Sequence, residues 1–269
     1  MTPDGRRRTA LGWLAAAGLS ACLPARAAGV FLEELTSPEL RDRIAAGWTT
    51  ALLPIGGTEQ NGAHMVLGKH NVRVRVLAGL IAERLGHAVV APVLPYVPEG
   101  RVEPPSEHMR WTGTISIPTP AFAAVLEGAA ASLHRHGCRE LILLGDHGGY
   151  QAAMRRVALR LDRAWRQQRP AGRVFALGAY YTASQDGFAQ LLAARGLPMA
   201  EIGSHAGLAD TALALAVDAA LVRADAQARG PSDGVRGDPR RATAELGRLG
   251  VAHIVERSVA AIEAERARP

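Results

Sequence analysis

Leu141-Ile142-Leu143-Leu144 places four bulky apolar residues in a row, so a strand built from it shows hydrophobic side chains on both faces. Such a strand is stable only where both faces are covered, as in a parallel sheet packed between helices. Similar short runs occur at 51–55, 89–94 and 174–177. Helical periods lie between them. Val74, Leu77, Ala78, Ile81 and Leu85 recur at helical spacing before Gly86, and further helices are expected at about 121–135, 151–166 and 242–266. Strands alternating with helices of this length predict an α/β fold, a three-layer α/β/α sandwich around a mostly parallel sheet. No internal repeat is present, so residues 28–269 read as one domain, with 230–241 as a Gly- and Pro-rich loop before the last helix.

Residues 1–27 read differently. Arg6-Arg7-Arg8 precede an apolar stretch and then Ala25-Arg26-Ala27, the layout of a cleaved export signal of twin-arginine type. That predicts a soluble periplasmic protein. Leu19-Ser20-Ala21-Cys22 also resembles a lipobox, and a lipid anchor at Cys22 is the alternative. The apolar stretch is too short to span a bilayer. The formal charge is +6, but the first 27 residues, with four Arg and one Asp, carry half of it. No basic run alternates with aromatics, which argues against a nucleic-acid partner. Two cysteines in 269 residues exclude a zinc–thiolate cluster.

In an open parallel sheet, ligands collect beyond the carboxyl ends of the strands. Glu59, Asn61, His64, Lys69 and His70 follow the first strand, and Asp146 and His147 follow the third. His205 and Asp210 come from a later loop, and Glu107-His108 from another. Carboxylates with imidazoles suit zinc, manganese or iron. Each group also has an ordinary structural reading: Asp146 as the cap of the following helix, Asp210 or Thr211 as the cap of the run 213–217, and Lys69, the only lysine, as a solvated loop residue.

Four motifs in order resemble the creatininase family of metal-dependent amidohydrolases: Glu59-Gln60-Asn61-Gly62-Ala63-His64, Ser106-Glu107-His108 with Gly113-Thr114, Asp146-His147-Gly148-Gly149, and His205-Ala206-Gly207 with Asp210-Thr211. The resemblance spans about residues 50–217. It implies that Glu59 and His147 are metal ligands and that His205 transfers a proton, with Asp210 behind it in place of a family glutamate. Glu107 and His108 match further catalytic-pocket positions. Asn61, His64, Lys69 and Asp146 are expected to face the substrate. Asn61 stands where the family has a ligand histidine, His70 where it has a metal-bridging aspartate, and Gly148-Gly149 where creatininase supplies a further glutamate. These departures favour one ion, held by Glu59, His70 and His147, over two, and they argue against creatinine as substrate. The expectation is therefore a divalent metal, zinc first with manganese or iron as alternatives, and hydrolysis of a small, cyclic or open, amide. A homo-oligomer is also implied. The rival expectation is a non-catalytic periplasmic binding protein on the same scaffold; a serine hydrolase is disfavoured because no Gly-x-Ser-x-Gly elbow is present.

Overall fold

The computed structural model describes residues 29–168 and 170–268; the expected signal, its Cys22 alternative and the export route lie outside them. Four parallel strands, β1 (Thr50–Ile55), β2 (Ala88–Val90), β3 (Glu140–Gly145) and β4 (Arg173–Ala176), form one sheet in the order β2-β1-β3-β4. The helices are α1 (Ser37–Ala45), α2 (Lys69–Leu85), α3 (Thr119–Arg135), α4 (Gln151–Arg166), α5 (Gly178–Thr182), α6 (Phe188–Ala193), α7 (Met199–Ile202), α8 (Leu208–Val217), α9 (Ala224–Ala228) and α10 (Ala244–Arg266).

Every residue of β1 and β3 is buried. Their side chains alternate between two cores, as a period of two requires. Leu52, Ile142 and Leu144 join Val74, Leu77 and Ile81 of α2, Leu213 of α8 and Ile254 of α10. Leu53, Ile55, Leu141 and Leu143 join Phe122 and Leu126 of α3 and Met154 and Val157 of α4. The three-layer sandwich expected from the sequence is the fold. No helix among the described residues is long and apolar enough to cross a membrane.

Several boundaries differ from expectation. The second strand ends at Val90 rather than residue 94, and Leu94 returns only as an isolated bridge to Ile55; Pro92 between them has no N–H to donate. The helix α2 starts at Lys69, so Lys69 and His70 lie in its first turn. A cation there opposes the helix dipole, and nearby carboxylates offset it. Asp146 is not a cap: α4 begins after Tyr150. Neither Asp210 nor Thr211 caps α8, which starts at Leu208 after Gly207 and takes both into its first turns.

The chain leaves β1 toward β2 on one side and leaves β3 toward β4 on the other, so the segments that follow these two strands part at their carboxyl ends, where a crevice forms. The fully buried Tyr150 ties these two ends together. Its hydroxyl lies 2.7 Å from the Ile55 carbonyl and 2.8 Å from that of Gly56, and accepts from the Asp146 and His147 amides at 3.0 and 3.1 Å. Tyr150→Phe keeps the ring packing but takes the acceptor from the part-buried His147 amide and leaves the Asp146 amide with the Ile55 carbonyl alone. It is expected to lower unfolding stability by about 1–3 kcal/mol, read from urea denaturation; an unchanged midpoint would remove this tie from the account.

Candidate metal centre

Glu59 sits on the floor of the crevice with no exposed surface. Its Oε1 accepts from His70 Nε2 at 2.8 Å and lies 3.7 Å from His205 Nδ1 and 4.0 Å from Lys69 Nζ. Its Oε2 faces His108 Nε2 at 3.1 Å and His147 Nε2 at 3.3 Å, yet neither contact has hydrogen-bond geometry and the oxygen has no hydrogen-bond partner. Burial pushes the Glu59 carboxyl up, but the His70 hydrogen bond and the charges of His70, His147 and Lys69 outweigh it and hold the group well below the usual range.

Above this floor opens a cavity of about 470 Å³, lined by Lys69, His108, His147, His205, Tyr181 and Arg236 among others. Its walls come from segments distant in the chain. The loop expected only to connect helices supplies one of them, because Arg236 and His205 pair as a short antiparallel bridge. Trp111 is held in another wall by its Nε1–H donating to Asp233 at 2.9 Å.

Beneath the floor lies a second polar layer. His70 Nδ1 is 2.6 Å from Asp146 Oδ2, so each ring nitrogen of His70 faces a carboxylate oxygen. Asp146 also accepts from Arg73 Nε at 2.9 Å and from the Tyr180 hydroxyl at 2.6 Å. Arg73 reaches Asp210 Oδ1 at 2.7 Å, and Lys69 reaches Asp210 Oδ2 at 2.6 Å. Burial raises the pKa of Asp146 and Asp210, but the adjacent cations win: Arg73 and His70 lower Asp146, and Lys69 and Arg73 hold Asp210 well below its ordinary value.

Two groups of side chains bring ligand atoms within 4.8 Å of one another: Glu59 with His108 and His205, and Glu59 with Glu99 and His147. Orphaned carboxylate oxygens beside imidazole nitrogens are what a divalent ion satisfies, so the donor set fits one. Glu99 was missed in the sequence. It is buried at 2% exposure, and burial, then the Glu59 charge, push its carboxyl up to about 9. Burial pushes His147 down to about 3. Burial and the Lys69 ammonium push His205 down to about 4.

The expected site residues therefore separate. Glu59, His70, His108, His147, His205 and Lys69 converge, but His70 belongs to neither ligand group, and both its nitrogens face carboxylate oxygens. Glu107 lines the cavity but is exposed. Asp146 reaches the cavity wall with its carboxylate taken by His70, Arg73 and Tyr180. Asp210 does not stand behind His205; it is the counter-ion of Lys69 and Arg73. Asn61 and His64 lie outside the cavity lining. The Asn61 amide donates to the carbonyls of Glu59 and Val66, and His64 Nε2 meets the Thr211 hydroxyl at 3.0 Å. Lys69 is no solvated loop residue: it is 1% exposed.

The creatininase family model, described as creatinine amidohydrolase, matches residues 33–262. The creatinine amidohydrolase of Pseudomonas putida is 30% identical over 200 residues, 73% of this chain and 75% of that protein. The mycofactocin precursor peptide peptidase of Mycolicibacterium smegmatis is 33% identical over 113 residues, 40% of this chain and 43% of that protein. Among solved structures, a manganese creatininase aligns with a TM-score of 0.71 at 27% identity, covering 89% of this chain and 100% of that one. A zinc–zinc form of a glutamate-to-glutamine creatininase variant aligns at 0.70 with 28% identity, covering 89% and 99%.

Removing Arg73 leaves two buried carboxylates short of a partner. Arg73→Ala is expected to cost about 3–5 kcal/mol of stability, read from urea denaturation of the purified variant. A loss under about 1 kcal/mol would show that this layer is not what holds the floor in place.

Proposed function

The chain belongs to the creatininase family, and from that premise we propose that it is a metal-dependent hydrolase of a carbon–nitrogen amide bond in a small molecule. One observation carries the reading: a fully buried carboxylate, Glu59, turns an oxygen without a hydrogen bond toward two imidazole nitrogens on the floor of an open cavity. Glu59 and His147 anchor a single divalent ion, zinc, manganese or iron. When bound there, such an ion acidifies water and polarises an amide carbonyl.

The chain's own residues supply the rest. His70, clasped between Asp146 and Glu59, sets the orientation of the Glu59 carboxylate. His205 Nε2 lies 3.0 Å from the Gln60 backbone carbonyl, which accepts, and 3.1 Å from the Gln60 side-chain amide, which donates. The reaction uses the tautomer in which Nε2 carries the proton and donates to the carbonyl. That leaves the Nδ1 lone pair turned toward Glu59, and the lowered pKa keeps the ring neutral near pH 7. His205 Nδ1 takes a proton from the attacking water and delivers it to the leaving nitrogen as the carbon–nitrogen bond breaks. Lys69 holds a fixed positive charge in the cavity wall, where negative charge develops on the carbonyl oxygen. Asp210 keeps that ammonium in place and moves no proton.

The reading of residues 1–27 places the reaction in the periplasm, and family membership favours a homo-oligomer. Dialysis against a chelator is expected to abolish hydrolysis across a panel of lactams, ureides and formamides, and zinc or manganese to restore it. His147→Ala is expected to lose both ion and turnover. His205→Ala is expected to keep the ion and lose about 10²- to 10⁴-fold in kcat. An ion that stays bound in His147→Ala rejects the ligand assignment; a loaded protein that hydrolyses no compound favours the binding-protein alternative.

A further inference from the structure

Glu99 leaves the segment after β2 with its backbone N–H donating to the Ser116 hydroxyl at 3.0 Å. Its side chain runs inward to the cavity floor and has no exposed surface. Neither carboxylate oxygen has a hydrogen-bond partner. A buried carboxyl without a donor must either keep its proton or sit beside a cation, and its place next to Glu59 and His147 points to a cation. Oε2 lies 3.1 Å from His147 Nδ1, but outside hydrogen-bond geometry. The backbone makes room for the carboxylate: a Cβ on Gly57 would come within 2.6 Å of Glu99 Oε1.

The charges of the two polar layers point the same way. Glu59, Glu99, Asp146 and Asp210 are four carboxylates, and Lys69 and Arg73 are the two fixed cations among them. With Glu99 ionised, as a ligand must be, four carboxylates outnumber these cations even when His70 is charged, and a divalent ion offsets the shortfall. The shortfall is concentrated where Glu59 and Glu99 approach each other, because Asp146 and Asp210 already have Arg73 and Lys69.

We infer that Glu99 is itself a metal ligand, completing with Glu59 and His147 a three-ligand site at the cavity floor. The inference rests on reading that floor as a metal centre. Ligand atoms of these three residues all fall within 4.8 Å of one another, the spacing of donors around a common point. Three protein ligands leave positions open for water and substrate. Two carboxylates with one imidazole form a hard donor set that suits manganese or iron as well as zinc. His108 and His205 then face the substrate rather than the ion.

The competing role for Glu99 is to orient His147 through its Nδ1, and metal titration separates the two. The full chain, stripped with chelator, is titrated with zinc and with cobalt(II). For Glu99→Gln, zinc affinity is expected to fall by more than the roughly 10- to 100-fold typical of a lost outer partner, and the visible cobalt band to shift. A smaller loss with the cobalt band unmoved makes Glu99 a positioning residue and overturns the inference. Glu99→Asp keeps the charge but draws the oxygens back by one methylene; weakened zinc binding with a shifted band is expected. Should the Gln variant fail to fold, wild-type affinity and an unmoved band in Glu99→Asp overturn the inference. Metal binding that depends on Glu99 in a protein with no amidase activity would defeat the hydrolase reading alone. Amidase activity with binding indifferent to Glu99 would defeat this inference alone.

Discussion

One buried carboxylate organises the molecule's polar interior. Glu59 lies at zero exposure beyond the carboxyl end of β1, with His70, His108, His147, His205 and Lys69 all within 4.0 Å of its oxygens. A charge so placed is tolerated only where positive or donor groups surround it on every side. That requirement draws together β1, α2, the segment after β3 and the loops carrying His108 and His205. The parallel sheet makes the meeting possible, because β1 and β3 lie side by side and end at the same edge. Tyr150 then joins the two ends through one hydroxyl.

Behind Glu59 the polar groups are arranged in depth. Asp146 holds His70, His70 holds Glu59, and Arg73 spans Asp146 and Asp210 while Lys69 completes Asp210. Each member has its partner inside the protein, so the layer can hold a site rigid without solvent. The unmet valences lie one level up, at Glu59 Oε2 and both oxygens of Glu99. A site built to hold a cation has this profile: a satisfied support and an unsatisfied face. The positions that depart from the family pattern follow the same logic. His70 serves the support, and the Asn61 amide is spent on the Glu59 and Val66 carbonyls within its own turn.

The strands and long helices were legible because their signals are local. A run apolar on both faces, a closing Gly86 and helical periods of four or more turns each specify an element without help from elsewhere. The short helices between 178 and 228 were not legible, since four to six residues give too few turns for a period to emerge. Glu59, His147 and His205 were found because they follow strand ends or belong to a recognisable motif. Glu99 lies between Pro98 and Gly100 in a loop, and a lone carboxylate there has no periodicity to mark it. The part played by Asp210 was misread for a different reason. Its partners, Lys69 and Arg73, sit 141 and 137 residues away in the chain, and only tertiary structure brings them together.

If Glu59 is the seat of a divalent ion, the ion should be visible there. Crystals of the zinc- or manganese-loaded protein, measured at the metal's absorption edge, give an anomalous difference map that locates it without reference to activity. The expected map has one strong peak within bonding distance of Glu59 and His147. A loaded protein whose peak lies elsewhere, or a cavity floor with none, contradicts the account.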